Sequence, residues 1–225
     1  MAGLAFALLA AGAEGCGRAP QGAAADVPAA DVRHLPPDRQ GSLPDVMVVK
    51  ADHQRALGAD SSKVTLLVIS DYQCPACRTF FERTLPIIRS EYVDRGAIRL
   101  VWAHYPLRLH PGAVHAASAA MCAGTQDKFW EASAQLFATQ ARWGASPGTS
   151  ALIDSIASVP GVDASILASC TASRRMLRQI RYDIDWADTA KAGAPLTLVV
   201  GRHVIPGTAS VSALRASIDS AIAGR

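Results

Sequence analysis

Residues Lys63 to Phe80, KVTLLVISDYQCPACRTF, constrain this chain more than any other stretch. The β-branched, apolar run from Val64 to Ile69 reads as a buried strand, bounded by Ser70-Asp71. Cys74-Pro75-Ala76-Cys77 then opens a helical pattern. Strand followed by helix places two thiols at a helix N-terminus, where unpaired backbone N–H groups and the positive end of the helix dipole favour negative charge. The first thiol is thereby pushed toward thiolate, which makes Cys74 the expected nucleophile. Cys77, one turn inward, is the expected resolving thiol. Pro75 suits the first helical position, where its fixed φ helps and its missing N–H is not needed.

Two other readings of C-x-x-C carry less weight. A structural zinc site needs a second ligand pair at knuckle spacing, and Cys122 and Cys170 lie far apart on helical patterns. A purely structural Cys74–Cys77 disulfide closes too small a loop to gain much chain entropy. Redox work is the favoured reading.

The 225 residues and a net charge of +3 fit one domain with an N-terminal extension and offer nothing for nucleic acid or an acidic substrate. Arg174, Arg175, Arg178 and Arg181 recur at helical spacing, the mark of a solvated face. Gly3 to Ala13 is a short apolar run with the character of a secretory signal, so residues 1–15 are read as a signal peptide. Cys16 then becomes a lipidation site; the competing outcome is cleavage after Ala23-Ala24-Ala25 and a soluble product. Cysteine parity favours the first, since Cys74/Cys77 and Cys122/Cys170 make two pairs and leave Cys16 over. Residues 16–44, rich in Ala, Pro, Gly and Asp, read as a flexible linker.

From residue 45 onward the pattern is that of a folded domain extending to 223. Val46 to Val49 is expected to form a first strand, Val64 to Ile69 a second and Ala97 to Ala103 a third. The helix from Cys74 to about Asp94 should kink at Pro86 and end at Gly96. Candidate helices follow at Ala113–Ala123, Lys128–Gln140, Thr149–Ser158, Asp163–Ser173 and Met176–Ala192, an all-helical insertion over about 110–192. Leu196 to Val200 and His203 to Ile205 return to strand, and Val211 to Ala223 closes the chain as a helix. Cys122 and Cys170 inside the insertion are read as a structural disulfide, the alternative being two separately buried thiols. Phe129, Trp130 and Trp143 read as packing residues.

The run SDYQCPACRTF, then His110-Pro111-Gly112-Ala113, then CAGTQDKFWEASAQLF, and finally Gly193-Ala194-Pro195-Leu196-Thr197 recur in an order that resembles the DsbA-like thiol:disulfide oxidoreductases of the thioredoxin superfamily. The resemblance spans roughly residues 45 to 223. It implies an α/β, thioredoxin-like fold with the helical insertion placed between the third strand and the cis-proline strand. It also implies an extracytoplasmic enzyme, in the periplasm or at the cell surface, that works by a redox-active disulfide with no other cofactor. Exported proteins with free thiols are the implied substrates, and a membrane quinone-linked protein of the DsbB or vitamin K epoxide reductase type is the implied recharging partner. Pro195 would be the cis-proline facing the thiol pair, and Ala194 would offer its backbone to an extended substrate peptide. The isomerase branch carries an N-terminal dimerisation domain that residues 16–44 cannot build, so a monomer is expected.

Two departures stand out. The dipeptide between the cysteines is Pro75-Ala76, whereas the strongest oxidases carry histidine there, so a less oxidising pair is expected. Val68 occupies the position six residues before Cys74 where thioredoxin-like proteins place a buried acid. Proton transfer at Cys77 must then use water or another group such as Asp71. A reductase or isomerase running the other way, and a copper or zinc module using Cys74, Cys77 and His104 or His110, are the alternative functions.

Overall fold

The computed structural model describes residues 45–145, 148–192 and 194–224. The expected signal peptide, Cys16, the whole of the linker and Gly193 lie outside the described residues.

Val64 to Ile69 form the strand that the apolar run predicts: β2 spans Thr65–Ser70 and is buried along almost its whole length. Its parallel partner β3, Arg99–His104, is buried throughout. Two central strands covered on both faces read as continuous apolar runs, which is why alternation is weak here. β4, Thr197–Val200, lies antiparallel on the other side of β2, and β5, His203–Pro206, follows antiparallel at the edge. A two-residue strand, β1 at Ala56–Leu57, pairs antiparallel with β3 and completes the order β1-β3-β2-β4-β5.

Val46 to Val49 do not form the expected first strand; they open helix α1, Val46–Gln54. Asp45 decides this, because its carboxylate accepts from the Met47 N–H at 2.9 Å and caps the helix. Val48 and Ala51 then face the core at helical spacing.

The helical run after Cys74 continues through Pro86 to Val93 without a break, close to the expected end near Asp94. It passes through α2 (Pro75–Thr79), a wide turn at Phe80–Thr84, α3 (Leu85–Ile88) and a second wide turn at Arg89–Val93. In the wide turns the bonds reach back five residues, Leu85 N–H to Phe80 O and Asp94 N–H to Arg89 O. Such turns accommodate a residue that lacks an N–H.

Between β3 and β4 lie α4 (Ala113–Gly124), α5 (Phe129–Ala138), α6 (Gln140–Trp143), α7 (Ser150–Ala157), α8 (Ala164–Ala172) and α9 (Leu177–Thr189). The chain ends in α10, Val211–Ile222. Side-chain alternation along the strands divides the core. Leu66, Val68, Leu100, Trp102, Leu198 and Val200 face α2, α3, α10 and the insertion, while Leu67, Ile69, Val101, Ala103 and Val199 face Ala187, Ala190 and Ala192. Phe129 and Trp143 are buried, and the Trp143 indole N–H donates to the Leu136 carbonyl at 3.0 Å, as packing residues do.

One buried ionic cluster had no sequence signal. Arg55 Nη1 donates to Asp183 Oδ2 and to the Trp102 carbonyl, both at 2.7 Å, and its Nε donates to Asp52 at 2.6 Å. Asp183 also accepts from the His104 N–H at 2.8 Å and from Gln179 at 2.9 Å. These bonds tie the α1–β1 connection, β3 and α9 together under the sheet.

Candidate active site

β2 ends at Ser70 and delivers Asp71, Tyr72 and Gln73 to the start of α2. Cys74 occupies the N-cap of that helix with extended φ and ψ of −76° and 121°, and Pro75 takes the first helical turn. Cys74 is half-buried and Cys77 is fully buried; both are free thiols. The Cys74 pKa is lowered to about 6. The first cause is the hydrogen bond from the Cys77 thiol; the backbone N–H groups of Cys77 and Ala76 add to it, against partial burial and the Asp71 charge. The Cys77 thiol is pushed strongly the other way, by burial first and by its bond to the Cys74 sulfur second. The pair is therefore split into one accessible thiolate and one buried, protonated partner.

The loop carrying Cys74 is held from several directions. The Tyr72 hydroxyl bonds Ser133 at 2.6 Å, and the ring packs on Phe137 with centroids 4.8 Å apart. Gln140 Nε2 donates to the carbonyls of Tyr72 at 2.7 Å and Cys74 at 3.1 Å. Gln73 donates to Gly144 O at 2.8 Å and accepts from Gly112 N–H at 2.5 Å. A Cβ on Gly112 would meet Gln73 Oε1 at 3.1 Å and Trp143 at 3.2 Å, so the close approach suits glycine there. Neither glutamine stood out in the sequence; Gln73 at least lies inside the quoted motif.

Val68 is fully buried in the core face that also contains Cys77, and no acid replaces it on that strand. Asp71 is the buried acid of the site. Its Oδ1 accepts from Gln73 N–H at 2.7 Å, and its Oδ2 accepts from Leu107 N–H at 2.8 Å and meets His110 Nδ1 at 2.7 Å. The Asp71 N–H points at Cys77 Sγ at 3.4 Å.

The metal reading finds no support in this geometry. His104 is buried between Tyr72 and Phe129, with ring centroids 5.9 Å and 6.0 Å away, and burial holds its pKa well below the usual value. His110 is engaged by Asp71. Among the described residues no group of three His, Cys, Asp or Glu side chains converges as a metal site would.

Antiparallel pairing of Ile69 with Thr197 puts Pro195 at the end of the sheet from which the Cys74 loop leaves. The cis peptide bond of this segment is not the expected one before Pro195; it lies between Pro195 and Leu196. The turn around it is closed by Thr197 Oγ1 donating to Ala194 O at 2.6 Å and by Gly207 N–H donating to Leu196 O at 3.0 Å. Ala194 is exposed, yet its own N–H donates to Ala192 O at 2.8 Å. Its backbone is thus engaged internally, and what remains open to a visiting strand is the second lone pair of its carbonyl.

Away from the thiol pair, Cys122 on α4 and Cys170 on α8 are disulfide-bonded with Cα atoms 5.8 Å apart.

A family model described as thioredoxin matches residues 50–220. The chain belongs to the DsbA-like thiol:disulfide oxidoreductases of the thioredoxin superfamily. It is 28% identical over 170 residues to the probable disulfide bond formation protein D of Bacillus anthracis, covering 74% of this chain and 77% of that protein. The crystal structure of oxidised BdbD from Bacillus subtilis superimposes with a TM-score of 0.68 at 24% identity, over 76% of this chain and 94% of that one, which shows the shared fold. The chain is also 32% identical over 203 residues to the Na(+)/H(+) antiporter NhaA 1 of Salinispora arenicola, where the match covers 84% of this chain but 29% of the relative's length. The insertion helices and the placement of the C-x-x-C pair after β2 therefore belong to a DsbA-like architecture.

Proposed function

We propose that this protein is an extracytoplasmic dithiol oxidase that donates the Cys74–Cys77 disulfide to exported proteins. The observation that carries the reading is the split of the pair: a half-exposed Cys74 whose pKa is lowered to about 6 beside a fully buried Cys77. A substrate thiolate attacks Cys74 Sγ of the oxidised pair, the Cys74–Cys77 bond breaks, and the departing Cys77 sulfur takes up a proton. The second substrate thiolate attacks the substrate sulfur of the mixed disulfide, and Cys74 leaves as a thiolate. Two substrate thiols become one disulfide, one proton rests on Cys77 and the other passes to solvent. Stabilising the Cys74 thiolate makes it a good leaving group and favours the reduced enzyme, which is what makes the oxidised pair an oxidant.

The substrate peptide would lie along Ala194 and Pro195, beside the thiol pair. A membrane quinone-linked partner of the DsbB or vitamin K epoxide reductase type would reoxidise the enzyme, which would act as a monomer without metal or organic cofactor. Among the described residues no helix is long and apolar enough to cross a membrane, so attachment would fall to a lipid on Cys16. The Cys122–Cys170 bond, which joins residues 48 apart, would be structural.

The test is direct. Oxidised protein mixed with a reduced, unfolded secretory protein should remove substrate thiols stoichiometrically, and a Cys77→Ala variant carrying a mixed disulfide to a small thiol should accumulate the covalent complex through Cys74. An oxidised form that leaves the substrate reduced, beside a dithiol form that readily reduces insulin, would replace the oxidase with a reductase.

A further inference from the structure

Asp71 is an odd companion for a thiolate. Its side chain is completely buried at the N-terminal side of the thiol pair, and its charge acts on Cys74 in the unfavourable direction. Its N–H and C=O are both spent on the site: the N–H points to Cys77 Sγ at 3.4 Å, and the carbonyl accepts from Cys74 N–H at 3.1 Å. The acid therefore cannot be far from the reacting sulfurs. A like charge so placed opposes the thiolate unless something offsets it. Two of its hydrogen bonds come from neutral backbone N–H groups, of Gln73 and Leu107. The third partner, His110, is able to carry a positive charge. Its Nδ1 lies 2.7 Å from Asp71 Oδ2, and its side chain stays 17% exposed. The loop that carries it is fixed by Ala113 N–H to His110 O at 3.1 Å and His110 N–H to Leu107 O at 3.0 Å. Gln140, whose side-chain amide donates to the Cys74 carbonyl, is uncharged.

We propose that His110 is a positioning residue that, through its hydrogen bond to Asp71, offsets the Asp71 charge and so sets how strongly the Cys74 thiolate is stabilised. His110 touches neither sulfur; Asp71 transmits its effect. The inference deepens the proposed redox chemistry but needs only that Cys74 be the reactive thiol. It stands or falls separately from the direction of electron flow.

The experiment is a double-variant cycle read by thiolate absorbance against pH on reduced protein, with the glutathione equilibrium measured in parallel. His110→Ala should raise the Cys74 midpoint, with the thiolate-to-thiol ratio at fixed pH falling about three- to tenfold. Asp71→Asn should lower the midpoint, because the opposing charge is gone. In the Asp71→Asn background, His110→Ala should have no further effect on it. A merely structural histidine would shift the midpoint equally in both backgrounds, or in neither, and either result overturns the proposal. Should the His110 variant fail to fold, Asp71→Asn alone decides: an unchanged or raised midpoint refutes it.

Discussion

The side-chain amide of Gln140 donates to the backbone carbonyl of Cys74 at 3.1 Å, so the helical insertion holds the nucleophile's own peptide group. The same amide reaches Tyr72 O at 2.7 Å. One residue of α6 thereby fixes the loop on both sides of Gln73. Without Gln140 the Cys74 carbonyl keeps the Arg78 N–H at 3.1 Å while the buried Tyr72 carbonyl loses this donor, and a buried carbonyl left without its partner costs about 1–3 kcal/mol. Gln140→Ala should destabilise the protein by that amount in urea and speed hydrogen exchange through Tyr72 to Cys74. A variant with unchanged stability and exchange would show that the insertion does not clamp the loop.

The thiol pair predicts a pH dependence. Cys74 has a folded pKa lowered to about 6 from an ordinary value of 9.0. Between those values the unfolded chain binds a proton that the folded protein does not, so the reduced protein gains stability as pH rises through this window and loses it as pH falls through about 6. The oxidised protein lacks the effect. The gap in melting temperature between reduced and oxidised forms should therefore shift in favour of the reduced form from pH 6 to pH 8.5, roughly. A gap that stays constant over that range would mean an ordinary thiol at Cys74.

The Arg55–Asp183 pair titrates in the opposite sense. Burial pushes the Asp183 pKa up to about 6 even with Arg55 beside it. A raised folded pKa means stability present at low pH and lost as pH climbs through about 6. Removing the counter-charge enlarges that loss: Arg55→Met should cost about 3–5 kcal/mol near neutral pH and should be better tolerated at pH 5 than at pH 8, roughly. Equal destabilisation at both pH values would show that Asp183 does not carry its charge inside the fold.

Much of this architecture was legible because local signals agreed with tertiary ones. The apolar run at Val64, the proline after Cys74 and the glycine and proline breaks between insertion helices each stated one conformation. Val46 to Val49 misled because four consecutive residues rich in valine carry strand propensity, while the Asp45 cap, a single hydrogen bond, tips them into α1. β1 is two residues long and defined only by its pairing with β3, so no periodicity could reveal it. The cysteines were visible because their spacing is local. Gln73, Gln140 and the Asp71–His110 pair were not, since each acts through partners 36 to 71 positions away. At Pro195 the motif marked the segment, but the cis bond lies between Pro195 and Leu196, and nothing in the local sequence distinguishes that peptide from the one before Pro195.

The central claim, that Cys74 and Cys77 form an oxidising pair, is tested most directly by their reduction potential in a series of glutathione buffers, with Cys122 and Cys170 scored separately by thiol labelling. The lowered Cys74 pKa predicts a value well above the roughly −270 mV of thioredoxin, and the absence of a histidine between the cysteines predicts one below the roughly −120 mV of the strongest DsbA-type oxidants. A potential at or below that of thioredoxin would contradict the account and make a reductase of the same fold.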